Sequence, residues 1–272
     1  MRILLWGNHL GVQGYLEALG KDELVGVVAA ANRPDDLKRV ARLAQSAELP
    51  LLVQPYRRDA QSFRRFENAV RTAAADLFVV NAYSMLLNND WLAWPTVAAL
   101  NVHAGLLPEY RGANVINWAL VNGERKSGVT IHHLDAGIDT GDLVLQRPIE
   151  IQFEDTAVSL RDKLLNLIGP MLRVVISQAR SGTLPRMPQD ARRARHWPRR
   201  RAEDGRIDFS WTTPRIYNLI RALVAPWPGA FYVDRLGRQV VIDRFMPIDE
   251  VRTLQQTFRE HHAPIDRCDT PA

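Results

Sequence analysis

Residues 101–112 read NVHAGLLPEYRG: an asparagine and a histidine two positions apart close an apolar run, and a loop bounded by Pro and Gly follows. If residues 97–103 form a strand, alternate side chains share a face, so Asn101 and His103 project together from its C-terminal end. A third polar group, Asp139, lies 36 residues after His103 in HHLDAGIDTGD, a Gly-punctuated loop joining two apolar runs. An amide N–H can stabilise an oxyanion, an imidazole can move protons, and a carboxylate can orient that imidazole and tune its charge. Asn101, His103 and Asp139 together suit acyl transfer without a covalent enzyme intermediate. No G-x-S-x-G elbow is present, and the single cysteine, Cys268, lies in the polar tail DRCDTPA, so the nucleophile has to come from the substrate. The Asn-x-His pair by itself is also compatible with a capped, hydrogen-bonded structural role.

Holding three such groups together needs a rigid frame, and the flanking sequence supplies one. MRILLW, ELVGVVAAA, DLFVVNAY and VAALNVHA read as strands, with RPDDLKRVARLAQSA and FRRFENAVRTAAA as helices among them. This alternation predicts an α/β fold, a Rossmann-like, mainly parallel sheet with helices on both faces. Ligands of such sheets bind outside the carboxyl ends of the strands, where Asn101 and His103 fall. The opening GNHLGVQG precedes a helix-like YLEAL, but Gly7, Gly11 and Gly14 miss the G-x-G-x-x-G spacing, so no dinucleotide site is expected. A tight turn and close helix packing are expected of all three glycines.

Further along, ANVINWALVNG reads as a helix, SGVTIHHL and DLVLQRPIEI as strands, and DTAVSLRDKLLNLIGPMLRVVISQARSG as a long helix with Asp155 as its N-cap. The composition then divides the chain into a catalytic domain over 1–184, an Arg/Pro-rich linker over 185–205 and a small mixed α+β C-terminal domain over 206–272. In the last, RIDFSW reads as a strand. Thr213 and Pro214 start a helix that places Ile216, Leu219, Ile220 and Leu223 on one face, and APWPGAFYV and RQVVIDRFMPI supply two more strands.

Composition narrows the function classes. With 272 residues, 46% hydrophobic and 24% charged, the chain reads as an ordinary soluble globular protein. No apolar run approaches the roughly 20 residues of a membrane span, and the N-terminus lacks the apolar region of a secretory signal, so a cytoplasmic protein without a membrane partner is expected. The net charge of +5 is carried by arginine, since the only lysines are Lys21, Lys38, Lys126 and Lys163. RRARHWPRRR, residues 192–201, suits a phosphate-bearing partner or a solvated linker equally. A zinc site from His103, His132, His133 and Asp135 is conceivable by residue type. Adjacent strand residues His132 and His133 face opposite ways, however, and no Cys pair accompanies them, so no metal is expected.

The stretch NVHAGLLPEYRGANVINWALVNGERKSGVTIHHLDAGIDTGDLVLQ closely resembles the signature of the 10-formyltetrahydrofolate-dependent formyltransferases, and the similarity continues through EDGRIDFSWTTPRIYNLIRALVAPWPGAFYV. The resemblance implies N10-formyltetrahydrofolate as co-substrate, and it places the family's catalytic Asn, His and Asp on Asn101, His103 and Asp139. It further implies a pterin lying against Met85, Leu86 and Leu87 and against Asp135, Ala136, Gly137 and Ile138. Tyr110 and Arg111 are expected to contact the acceptor, the alternative for Arg111 being a tie from its loop to backbone carbonyls. INWALVNGE and PWPGAFYV look most like the sugar N-formyltransferases, which implies a UDP- or dTDP-linked amino-deoxy sugar as partner. Methionyl-tRNA, or another small-molecule amine, is the alternative acceptor, and a nucleic acid is expected only in that tRNA case. The tRNA enzymes resemble this chain less where they carry a basic insertion after the second strand and a longer OB-like C-terminal domain. The resemblance also implies homodimer pairing through the C-terminal domain, where QVVIDRFMPI offers an apolar sheet edge.

Overall fold

The computed structural model describes residues 1–56 and 59–262; Cys268 lies outside the described residues. The chain divides into two compact units, the first drawing on Met1–Gly112, Ser127–Ile149 and Asp162–His196, the second on Ala113–Lys126, Glu150–Arg161 and the segment from Trp197 onward.

Seven strands form one sheet: β1 (Ile3–Gly7), β2 (Leu24–Ala30), β3 (Leu51–Gln54), β4 (Leu77–Asn81), β5 (Ala98–His103), β6 (Lys126–His133) and β7 (Leu143–Glu150). Their order is β3-β2-β1-β4-β5-β6-β7. The pairings from β3 through β5 are parallel, and β6 joins β5 antiparallel. The expected Rossmann-like, mainly parallel sheet is therefore present, with an antiparallel flank beside β5. Only β3 has no counterpart in the sequence reading, because LLVQ is too short for a periodicity to show.

Helices α1 (His9–Leu19), α2 (Pro34–Ser46), α3 (Ala60–Thr72), α4 (Val115–Val121) and α5 (Ala157–Arg180) follow their strands. The strand period of two is visible in the core. Leu4, Trp6, Phe78 and Val80 point to one face, where Phe66 and Val70 of α3 and Trp91 close over them. Trp6 sits edge-on to Phe66 at 6.0 Å and tilted against Trp91 at 5.8 Å. Burying each such ring contributes about 1.5–3 kcal/mol, and this side of the sheet is fixed by that packing.

Three local expectations are corrected. Helix α1 begins at His9 rather than at Tyr15, because the Asn8 side chain accepts from Gly11 N at 2.9 Å and caps the first turn. A Cβ on Gly7 or Gly11 would come within 2.9 or 2.7 Å of the Asn81 carbonyl, so these two let the end of β1 and the start of α1 lie close to β4, whereas a Cβ on Gly14 would meet nothing within 4 Å. Before α5, Thr156 Oγ1 accepts from Ser159 N and acts as the cap, while Asp155 accepts from Gln152 N and Ser159 Oγ and braces the preceding turn.

In the second unit, α4 packs on α6 (Thr213–Ala222), and β8 (Ala230–Val233) pairs antiparallel with β9 (Gln239–Ile242) ahead of α7 (Ile248–His262). Ile216, Leu219, Ile220 and Leu223 are all buried, as their spacing predicts. Thr212 occupies the cap position, and Thr213 instead donates to Gln255 Oε1. RIDFSW is not a strand; apart from one bridge at Arg206, its backbone is claimed by α7, with Gln255 Nε2 bonding the carbonyls of Phe209 and Trp211.

The arginine-rich segment is ordered against its surroundings. Met187 exchanges two backbone hydrogen bonds with Leu143, and short 3-10 turns occupy Ala191–Arg193 and Ala202–Gly205. No helix among the described residues is long and apolar enough to cross a membrane.

Candidate active site

Strand β5 presents Asn101 and His103 on one face, as the period of two requires. The antiparallel register of β6 sets His132 opposite Asn101 and Thr130 opposite His103. From the loop after β6, Asp139 reaches back to the same point. Its Oδ1 lies 3.3 Å from Asn101 Nδ2, and its Oδ2 lies 3.6 Å from His103 Nδ1 and 2.8 Å from Gly112 N. The three residues singled out from the sequence thus converge on one carboxylate.

His132 is a fourth member that sequence reasoning set aside. Its Nε2 lies 3.1 Å from Asn101 Nδ2 and 3.5 Å from Asp139 Oδ1. The signal was available only through the β5–β6 register, since which residue faces Asn101 depends on how two distant segments align. The conceivable zinc set does not gather: His133 Nε2 turns to the Pro185 carbonyl, and Asp135 accepts from Thr140 Oγ1.

Hydrogen-bond partners fix the tautomers. His103 Nε2 is 2.5 Å from the Tyr110 carbonyl, and a carbonyl only accepts, so Nε2 carries the proton and Nδ1 is the basic nitrogen. His132 Nδ1 likewise donates to the His133 carbonyl at 2.8 Å, which leaves Nε2 to accept from the Asn101 amide. A Cβ on Gly105 would come within 2.9 Å of His103 Nε2, so the residue beneath the imidazole has to be glycine.

Burial sets the charge states. Removing His103 from water holds its pKa below the ordinary histidine value, even though Asp139 and the Tyr110 carbonyl pull the other way. Burial alone would raise the Asp139 carboxyl, but the neighbouring His132 and His103 and the hydrogen bond from Gly112 N–H outweigh it and hold the pKa at about 2. At neutral pH the site therefore pairs a neutral base with an ionised carboxylate.

The remaining predicted residues occupy two loops. Met85, Leu86 and Leu87 follow β4, in a loop braced by Gln54, which accepts from Tyr83 Oη and donates to the Leu86 carbonyl. Asp135, Ala136, Gly137 and Ile138 precede Asp139 and are exposed. Leu86, 76% exposed, and Ile138, 51% exposed, leave apolar surface open on both loops. Tyr110 is buried, and Arg111 sends Nε and Nη2 to Gln189 Oε1 at 3.1 and 2.8 Å. Gln189 is the second residue the sequence did not disclose. A cleft of about 490 Å³ between α1 and α5, lined by Gln13, Glu17, Asn166 and Arg173 among others, includes none of Asn101, His103 and Asp139.

Models of the formyl transferase family match this chain over residues 1–175 and, for its C-terminal domain, over 200–246. The chain belongs to the formyl transferase family. Its members are folate-dependent one-carbon transfer enzymes, with formyl-tetrahydrofolate as donor. The methionyl-tRNA formyltransferase of Alkaliphilus oremlandii is 35% identical over 239 residues, covering 85% of this chain and 76% of that protein. That of Ruminiclostridium cellulolyticum is 39% identical over 166 residues, 61% of this chain and 53% of that one. Among solved structures, a 4-N formyltransferase from Francisella tularensis superposes with a TM-score of 0.74 at 17% identity, over 90% of this chain and 97% of that one. An N-formyltransferase from Helicobacter canadensis, in complex with folinic acid and dTDP-3-aminofucose, gives a TM-score of 0.64 at 19% identity, over 86% of this chain and 85% of that one. At such identities these two likenesses establish the formyltransferase fold.

Proposed function

We propose that this formyltransferase moves the formyl group of N10-formyltetrahydrofolate to the amine of a nucleotide-linked amino-deoxy sugar, using Asn101, His103 and Asp139. The observation that carries the catalytic part is the convergence of an amide, a neutral imidazole and an ionised carboxylate at the end of β5. The uncharged amine attacks the formyl carbon, the C–N bond to the acceptor forms, and the bond to N10 breaks. His103 Nδ1 takes the proton from the amine and returns it to N10. Asn101 Nδ2 steadies the oxyanion. In the resting site its two hydrogens point at Asp139 and at His132 Nε2, and a developing negative oxygen competes best for the one on His132, since charged acceptors make the stronger bonds. The Tyr110 carbonyl holds the imidazole, and Asp139 stabilises its charged form once Nδ1 has taken the proton. The exposed Leu86 and Ile138 support the assignment of Met85, Leu86, Leu87, Asp135, Ala136, Gly137 and Ile138 to the folate ring system.

Two features support a small acceptor. The connection from β2 to α2 is only residues 31–33, with no basic insertion, and after the β8–β9 hairpin the described residues form α7 and no further strand. A second reading, methionyl-tRNA, is favoured by the 35% identity to an enzyme of that name. Assaying UDP- and dTDP-linked 3- and 4-amino sugars against methionyl-tRNA, with N10-formyltetrahydrofolate as donor, separates them. Turnover confined to methionyl-tRNA would refute the sugar assignment.

A further inference from the structure

The backbone of the loop that delivers Asp139 is bonded by a side chain from outside it, Gln189. Gln189 Nε2 donates both its hydrogens, one to the Asp139 carbonyl at 2.9 Å and one to the Gly141 carbonyl at 2.7 Å. Its Oε1 accepts both bonds from Arg111. The amide can take only this orientation, because flipping it would aim N–H groups at a guanidinium that has nothing but donors. Asp139 itself sits at φ 56°, a left-handed conformation that a residue with a side chain enters at a cost. Its own carboxylate is engaged in the site, so the backbone conformation has to be enforced through its carbonyl.

We propose that Gln189 is a positioning residue for formyl transfer, clamped by Arg111 and holding the backbone of Asp139 and Gly141 so that the Asp139 carboxylate stays on His103. This rests on the catalytic reading above. It also gives Arg111 a task other than acceptor contact: its Nε and Nη2 serve the clamp, within the loop whose Gly112 N–H binds the same carboxylate. The titratable groups facing His103 are Asp139 and His132, alongside the Tyr110 carbonyl. Of these, only Asp139 is carried by the clamped loop.

Two substitutions test it. Gln189→Met keeps the length and removes every hydrogen bond. Gln189→Glu keeps an acceptor for Arg111 but cannot donate to the two carbonyls. Both are expected to lower kcat by at least about tenfold with the KM for N10-formyltetrahydrofolate changed less than about twofold. In both, the His103 imidazole, followed by NMR titration of the folded protein, should protonate at lower pH than in the wild type, because the carboxylate that favours its charged form has moved away. The NMR readout needs no turnover, so it stands even if the acceptor is misassigned. Wild-type turnover that survives His103→Ala would instead count against the catalytic reading. Wild-type kcat and an unmoved imidazole titration in folded Gln189→Glu would overturn the clamp, as would a lower melting temperature of Gln189→Met with neither readout altered. Should Gln189→Met not fold, the Glu variant alone decides.

Discussion

A buried imidazole with one nitrogen bonded to a carbonyl has a single basic nitrogen left, and in His103 that is Nδ1. Because burial lowers its pKa, the base form persists below the ordinary histidine value of 6.5. The base form of His103 should therefore be lost only as pH falls through a midpoint under 6.5, seen as an acid limb in kcat/KM for N10-formyltetrahydrofolate. Asp139→Asn removes the charge that favours imidazolium, so this limb should move further down while kcat falls; an upward shift would contradict the pairing. His103→Ala is expected to lower kcat about 10²- to 10⁴-fold, and Asn101→Ala about 10²- to 10³-fold, each with folate affinity measured by calorimetry nearly unchanged. The double variant should lose far less than the product of the two, since both groups act on one transition state. Asn101, His103 and Asp139 are legible in the sequence because a strand period and a Gly-punctuated loop survive in one dimension. His132 and Gln189 are not. One depends on cross-strand register, the other on a fold-back of a segment whose prolines and charges read as linker.

At the scale of elements, the sheet and its helices follow from periodicity, and the misreadings have a common cause: a tertiary partner takes over a short segment. RIDFSW alternates like a strand, yet Gln255 and Arg259 bind its carbonyls, so its pairing with β8 stops at one bridge, Arg206 to Phe231. Helix α7 is amphipathic but opens at Ile248, directly after Pro247, in a run that begins as strand, and its buried Val251 and Gln255 show only once that face has a partner. Arg221 makes the same point energetically. It is 5% exposed and its Nη1 donates to the carbonyls of Gln152, Phe153 and Asp155, holding the turn ahead of α5. Arg221→Met keeps bulk but removes one donor from each of these carbonyls, of which Phe153 keeps the Tyr217 hydroxyl and Gln152 keeps Asp155 N. A destabilisation of about 1–3 kcal/mol in urea unfolding is expected, and a loss below about 0.5 kcal/mol would show that the turn is held by other contacts.

At the scale of the whole molecule, net charge reads more plainly from sequence than what the charge is free to do. RRARHWPRRR looks like a phosphate-binding run, but Arg192 is paired with Asp190, Arg193 with Glu109, and Arg200 lies over the Trp118 ring while donating to the Asp204 carbonyl. Three of its six arginines thus already have partners, which lowers the local density of charge available to a polyanion. This bears directly on the acceptor. A tRNA held by about six phosphate contacts would lose roughly 10³-fold in apparent affinity between 50 and 200 mM salt, since each neutralised phosphate releases counterions. A nucleotide diphosphate sugar presents two phosphates at one point and should lose far less. The expected result is a kcat/KM for the best amino-sugar nucleotide that changes by less than about tenfold over that range, with methionyl-tRNA formylated slowly or not at all at either end. Arg193→Ala, which removes one partner of Glu109, should leave the sugar reaction within about twofold. A steep salt dependence with methionyl-tRNA as the faster substrate would transfer the assignment to tRNA while leaving the chemistry of Asn101, His103 and Asp139 untouched.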